Sequence, residues 1–326
     1  MNTLQKIILP LAAAFALTGC HTAIMSDLSE CPQYTVFTFD VKAPGAISFP
    51  EAVDELRVFA FDEQGRLIGE WVDGAVVFLP GYEMKTNYYR AGTTTFVAWG
   101  GYNLADYDFS AFVAGATLDD LILLMQQQEA GKLAADASPL FVGVATEPLT
   151  QAAGREGRGS VTDSVHFHLT QITNHIDLEI TGLETGHEYT ITFTAKNNNY
   201  RYDGELLGSD RFEWVPDDFL QTDEAGGTTL TVSYDILRFV PGAPGDYLIE
   251  VRDENGVVVY SFDPLHDFIL HNQDDNPFRD HLDLNHDFDI YINLREDETP
   301  SPGEETYMAV QVTISGWNLV FRNQAL

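Results

Sequence analysis

The sequence predicts an all-β protein with one or two short helices, assembled as β-sandwiches. Three observations carry that expectation. Many short runs alternate apolar and polar side chains, turn signals separate them at close intervals, and only one stretch has a helical pattern. A half-buried strand hides every second side chain, so alternation over about 4–8 residues is its signature.

Gln33 to Val41 opens the series, with Phe37, Phe39 and Val41 on one face and Thr38 and Asp40 on the other. After Pro44-Gly45, Val53 to Phe61 is a second strand. It enters Asp62-Glu63-Gln64-Gly65, and Arg66-Leu67-Ile68 resumes the extended pattern, a hairpin signal. Trp71 to Leu79 and Thr94 to Trp99 add strands, bounded by Pro80-Gly81 and Gly100-Gly101. The one helix is expected from Thr117 to Gly131. Thr117 caps it, Asp119 and Asp120 suit its first turn, Leu121, Leu124 and Met125 form its apolar face, and Gly131 stops it. Phe141 to Ala145 is a last short strand. Residues 146–163 are glycine-rich and weakly apolar, and the domain boundary is placed near their end.

The second half has the same style. Val165-His166-Phe167-His168-Leu169, Ile176 to Ile180 and Tyr189 to Phe193 alternate, and Thr228 to Ile236 follows. Tyr247 to Val251 enters Asp253-Glu254-Asn255-Gly256 and leaves through Val257 to Tyr260, an internal echo of the Asp62–Gly65 hairpin. Tyr307 to Ile314 and Gly316-Trp317 close the chain.

Ahead of these elements, Lys6 precedes an apolar run, Ile7 to Leu17, that ends in Leu17-Thr18-Gly19-Cys20. The run is far shorter than the roughly 20 apolar residues of a membrane-spanning helix. Its order of charge, apolar run and small residues before a cysteine is that of a bacterial lipoprotein signal peptide. Residues 1–19 are therefore expected to be removed, leaving Cys20 as an acylated amino terminus on a tether of residues 20–32. Two sandwiches are expected to follow, at 33–163 and 164–326. Each buried methylene of an acyl chain contributes roughly 0.8 kcal/mol, so several chains hold the body to a membrane.

The chain has 326 residues, 17 basic against 50 acidic, and a formal net charge of −33. That balance repels phosphates and excludes a nucleic-acid binder. There are only two cysteines. With Cys20 acylated, Cys31 has no partner for an intramolecular disulfide, and no cysteine-based metal site can form.

Candidate chemistry is sparse. Gly154-Arg155-Glu156-Gly157-Arg158-Gly159-Ser160 fits neither the dinucleotide nor the P-loop spacing and reads as a loop. Asp283-Leu284-Asn285-His286-Asp287-Phe288-Asp289 starts like a calcium loop, but Phe288 stands where glycine is needed and Leu294 where a bidentate glutamate belongs. Read as a strand, it puts Asp283, Asn285, Asp287 and Asp289 on a wet face over Leu282, Leu284, Phe288 and Ile290. His166 and His168 share a strand face and can support zinc, but nothing near them in sequence supplies a third ligand, which favours a solvated face. His266, His271, His281 and His286 are expected at an acidic surface. No GxSxG elbow or HExxH motif is present, and no carboxylate pair stands out, so the chain does not read as an enzyme. Tyr88-Tyr89, Tyr102 and Tyr200-Arg201-Tyr202 are candidates for a sugar-binding platform.

Several segments in order resemble one family. They are Ile24 to Pro32, Val58-Phe59-Ala60-Phe61-Asp62-Glu63-Gln64-Gly65, Phe96-Val97-Ala98-Trp99-Gly100, Leu169 to Ile176, and Ile314-Ser315-Gly316-Trp317. Together they are similar to the fimbrillin-associated anchor lipoproteins of type V pili. The resemblance implies two tandem transthyretin-like β-sandwich domains, and the residues themselves nominate no cofactor or metal. It also implies a non-enzymatic subunit at the base of a fimbrium, holding the polymer to the outer membrane at the cell surface and limiting its length. Its partners would be fimbrillin subunits, engaged by β-strand addition. Polymerising relatives lose their first strand by cleavage after a basic residue, usually arginine. Here no arginine lies between Cys20 and Arg57, and Lys42 is the one basic residue in that interval. The other readings are a lipid-anchored adhesin or glycan-binding protein outside any pilus, and a surface hydrolase.

Overall fold

The computed structural model describes residues 33–41, 53–79, 81–87, 92–102, 104–109, 115–149, 161–196, 198–208, 210–216, 218–224, 226–271, 276–278, 281–296 and 307–319. The expected signal peptide, Cys20, the expected tether with Cys31, Lys42, Tyr88, Tyr89 and the glycine-rich loop 154–160 lie outside these residues.

The first seven-stranded sheet begins with β1 (Gln33–Val41), β2 (Glu55–Phe61), β3 (Leu67–Asp73), β4 (Glu83–Thr86) and β5 (Gly92–Gly101). The chain then makes four short strands that belong elsewhere: β6 (Tyr107–Asp108), β7 (Ile122–Met125), β8 (Gln127–Glu129) and β9 (Lys132–Ala134). It returns as β10 (Leu140–Leu149) and β11 (Val161–Gln171), giving the order β3-β2-β5-β10-β11-β1-β4. β10 and β11 pair only at Phe141↔Gln171 and Val142↔Thr170, so the sheet folds at that corner. The layer β4-β1-β11 lies over β3-β2-β5-β10, and a core between them holds Phe37, Phe39, Phe96, Phe141, Phe167 and Val58. Strands β2 and β5 are apolar on both faces because both are covered. Val58, Ala60, Phe96 and Ala98 face this first core, while Phe59, Phe61, Val97 and Trp99 face a second one.

The second half supplies β12 (Thr173–Leu183), β13 (Thr190–Lys196), β14 (Asn199–Arg201), β15 (Arg211–Val215), β16 (Phe219–Glu224) and β17 (Gly227–Leu237). It ends with β18 (Tyr247–Arg252), β19 (Val258–Phe262), β20 (Asp287–Glu296), β21 (Tyr307–Ile314) and β22 (Trp317–Leu319). One sheet runs β16-β17-β12-β20-β21-β22 and another runs β19-β18-β13-β15-β9-β8. Side chains from both, among them Leu178, Phe193, Trp214, Tyr234 and Ile290, fill the second core. The expected division between 163 and 164 falls inside β11, whose partners β1 and β10 belong to the first sheet, whereas β12 pairs with β17 and β20.

The expected helix from Thr117 to Gly131 is not formed. Thr117 and Asp120 do meet at the start of the segment, with the Thr117 backbone N–H and hydroxyl both donating to Asp120 Oδ2 at 2.8 and 2.7 Å. The turn they close is only the 3₁₀ segment Leu118–Asp120. Beyond it Leu121, Leu123 and Met125 are buried and Leu124 is exposed, a period of two. β7 pairs with β14 and β9 with β15, so the first half completes sheets of the second. Tertiary pairing overrides the local helical signal here. Gly131, with φ +80°, serves the β8–β9 turn instead of a helix end.

The hairpin echo holds in atomic detail. Asp62 Oδ1 accepts from the N–H of Gln64 and Arg66 at 3.0 and 2.9 Å, and Asp253 Oδ1 accepts from Asn255 and Val257 at 2.9 and 2.8 Å. Gly65 and Gly256 both take the left-handed conformation that closes each turn, at φ +71° and +78°.

Candidate functional site

The first strand is the feature from which site geometry can be built. β1 pairs in parallel with β11 at nine positions, Gln33↔Val161 through Val41↔Leu169, and antiparallel with β4 at Thr35 to Thr38. Its inward side chains are anchored among aromatics. The Phe37 ring lies 5.3 Å from Phe96, 5.7 Å from Trp71 and 5.8 Å from Phe167, and Phe39 stacks on Phe167 at 5.3 Å. On its other face the Lys85 ammonium sits 3.9 Å over the Tyr34 ring, while the buried Thr86 Oγ1 of β4 donates to the Thr35 carbonyl at 3.2 Å. β1 is thus an interior strand of its sandwich, bonded along both edges.

The outward face of β1 carries the second feature. Parallel register sets Thr38 beside His166 and Asp40 beside His168. Asp40 Oδ2 is 3.0 Å from His166 Nε2, and Asp40 Oδ1 is 2.6 Å from His168 Nδ1. Thr38 Oγ1 is 2.8 Å from His166 Nδ1. Burial would raise the Asp40 pKa, but the hydrogen bonds and electrostatic influence of His166 and His168 hold it below the ordinary value. Among the described residues, Asp40, His166 and His168 are the one group of three or more candidate ligands close enough to share an ion. The alternation of β1 put Asp40 on the wet face. That it meets histidines more than a hundred residues later depends on strand pairing, which a single sequence does not disclose.

Comparison with known proteins bears on the whole chain. The family model of the fimbrillin-A associated anchor proteins Mfa1 and Mfa2 matches residues 28–323. The chain belongs to this anchor-protein family. The minor fimbrium anchoring subunit Mfa2 of Porphyromonas gingivalis is 25% identical over 323 residues, covering 96% of this chain and 95% of that protein. The solved structure of the P. gingivalis fimbrial anchor protein Mfa2 superposes with a TM-score of 0.72 at 22% identity, over 88% of this chain and 99% of that one. A candidate polysaccharide-binding protein of Bacteroides thetaiotaomicron gives 0.72 at 19% identity, over 90% and 99%. A candidate adhesin of the same organism gives 0.66 at 18% identity, over 91% and 100%. These likenesses establish a shared β-rich fold.

The remaining candidates of this anchor-family chain separate cleanly. Tyr200 is no platform. It is fully buried in the second core, and its hydroxyl donates to the Ile172 carbonyl and accepts from the Arg238 N–H. Its neighbours Arg201 and Tyr202 are half-buried, with the guanidinium 5.5 Å from the Tyr202 ring. Tyr102 is 61% exposed at the end of β5. The acidic Asp283–Asp289 segment is a strand only from Asp287. Leu282–Leu284 forms a 3₁₀ turn that leaves both leucines half-buried, while Phe288 and Ile290 face the core as expected. Asn285 Nδ2 turns back to donate to the His281 carbonyl at 2.7 Å. Of the four histidines expected at the surface, only His281 is exposed. His266, His271 and His286 are half-buried, and burial holds His286 below the ordinary histidine pKa.

Proposed function

We propose that this chain is a non-enzymatic fimbrial anchor, lipid-tethered to the outer membrane through acylated Cys20 and holding the base of a fimbrium at the cell surface. Its body is two tandem domains, joined where β11 of the first sandwich passes into β12 of the second. The observation that carries the reading is the placement of β1. The strand that follows the tether is bonded on both edges and packed by Phe37 and Phe39, and the chain has no arginine between Cys20 and Arg57. A first strand that stays in place keeps body and lipid on one polypeptide. Fimbrillin partners then engage other strand edges by β-strand addition.

Mass spectrometry of the surface protein tests this directly. The expected mature terminus is acyl-Cys20, with fimbriae detached or altered in length when the gene is deleted. A mature terminus beyond Val41 would sink the proposal. A second reading, a lipid-anchored adhesin or glycan-binding protein outside any pilus, is favoured by the exposed ring of Tyr102. It requires a saturable glycan-array signal that Tyr102→Ala removes.

A further inference from the structure

We propose that Asp40, His166 and His168 form a binding site for one divalent transition-metal ion of the zinc class, and that the ion pins β1 to β11. The proposal rests on the pairing of β1 with β11 and stands independently of the anchor role.

The donor set is the first argument. Two imidazoles and one carboxylate suit zinc and its neighbours, whereas calcium and magnesium require shells of oxygen. Three protein ligands with water in the fourth position make a tetrahedral zinc centre.

Distance is the second argument. One donor atom from each residue lies within 4.8 Å of the others, and the two imidazole centroids are 4.6 Å apart in an edge-on arrangement. Metal–donor bonds of about 2.0–2.2 Å place tetrahedral donors about 3.3–3.6 Å apart, so the ligands need only small side-chain rotations. His166 and His168 are 45% and 75% exposed and have room for them.

Orientation is the third argument. Thr38 Oγ1 lies 3.5 Å from the Val165 carbonyl, to which it donates, and turns its lone pairs to His166 Nδ1 at 2.8 Å. A hydroxyl accepting from Nδ1–H fixes the ring as a metal-ligating histidine is fixed by its outer partner. Nε2 then faces the Asp40 carboxylate at 3.0 Å, and an ion that displaces the proton held between them meets both donor atoms at once. The parallel ladder makes this possible, because Asp40 sits directly beside His168 and diagonal to His166 on one face.

The test uses the full chain in detergent, freed of metal by a chelator and titrated calorimetrically with zinc chloride. One equivalent is expected to bind saturably in the micromolar range or tighter, while magnesium chloride gives no such step. His168→Gln and Asp40→Asn are each expected to weaken binding at least tenfold, and Thr38→Val about tenfold through the lost orienting partner. Zinc is also expected to slow amide exchange across 33–41 in the unsubstituted chain and not in His168→Gln. Because the His168 ring is exposed, that variant folds even if Asp40→Asn does not, and its affinity decides. The proposal is overturned if no one-equivalent step occurs, or if His168→Gln binds zinc as tightly as the unsubstituted chain, which would place the ion on other histidines.

Discussion

Replacing Phe37 by alanine removes the side chain on which the packing of the first strand most depends. Phe37 is fully buried, and three aromatic rings lie within 5.8 Å of its own. Truncating a buried phenylalanine forfeits its transfer free energy and leaves a cavity that the surrounding rings fill only in part, at a cost of about 3–5 kcal/mol. The backbone ladder to β11 and β4 is untouched, so the loss is one of packing alone. With a urea slope of about 2 kcal/mol per M, a loss of 4 kcal/mol lowers the unfolding midpoint of the first sandwich by roughly 2 M. Tyr34→Ala is the internal control. It sits on the same strand but loses a half-exposed ring and one cation–π contact, an expected cost of about 0.5–1 kcal/mol. Urea unfolding followed by tryptophan fluorescence measures both, since Trp71 and Trp99 lie in the first sheet. If Phe37→Ala costs no more than Tyr34→Ala, β1 is not part of the core and the reasoning about a retained first strand collapses.

Three further outcomes are expected. Leu123→Ser should cost about 3 kcal/mol and Leu124→Ser under about 0.5, because burial follows a strand period there; equal costs would restore the helix. Gly182→Ala should destabilise by more than about 2 kcal/mol in the same urea assay, since φ is +91° at a β-bulge and an added Cβ would run into the Leu294 carbonyl; an unchanged midpoint would refute the bulge geometry. His175 is raised to about 9, chiefly by its hydrogen bond with Asp235 against the opposing effect of burial, with Asp177 adding to the rise. A raised folded pKa contributes stability that is complete below the unfolded value near 6.5 and is lost as pH rises through about 9. With the ring 37% exposed, solvent screening reduces the contribution to about 1 kcal/mol. The stability gap between the unsubstituted chain and Asp235→Asn should therefore be present at pH 6 and nearly absent at pH 9.5, and a gap that grows with pH would overturn the assignment.

The parts of the fold that were legible in the sequence are those governed by local physics. β1 was readable because one face is buried and the other wet, so Phe37, Phe39 and Val41 alternate with Thr38 and Asp40. The two Asp-Glu-X-Gly turns were readable because an aspartate carboxylate and a left-handed glycine suffice to close them. The segment 117–131 was misread because Thr117 and Asp120 supply a true cap, while the strands that claim Leu123 and Leu133 lie in the second half of the chain. Tyr200 was misplaced for a related reason. Its neighbours in sequence are polar, and the backbone groups it satisfies, at Ile172 and Arg238, are remote. The Asp40–His166–His168 cluster was half-visible: the pair of histidines could be read, but their carboxylate arrives only through pairing of the first strand with the eleventh.

The parallel direction of that pairing also bears on mechanical load. β1 begins at Gln33 and meets β11 at nine successive positions without reversing. Tension applied along the axis of β1 from its amino end is borne by the whole ladder at once, in shear, and the strand cannot be peeled off one bond at a time. A hairpin pulled from one terminus would open sequentially at far lower force. The first strand is therefore seated in the direction that makes extraction hardest.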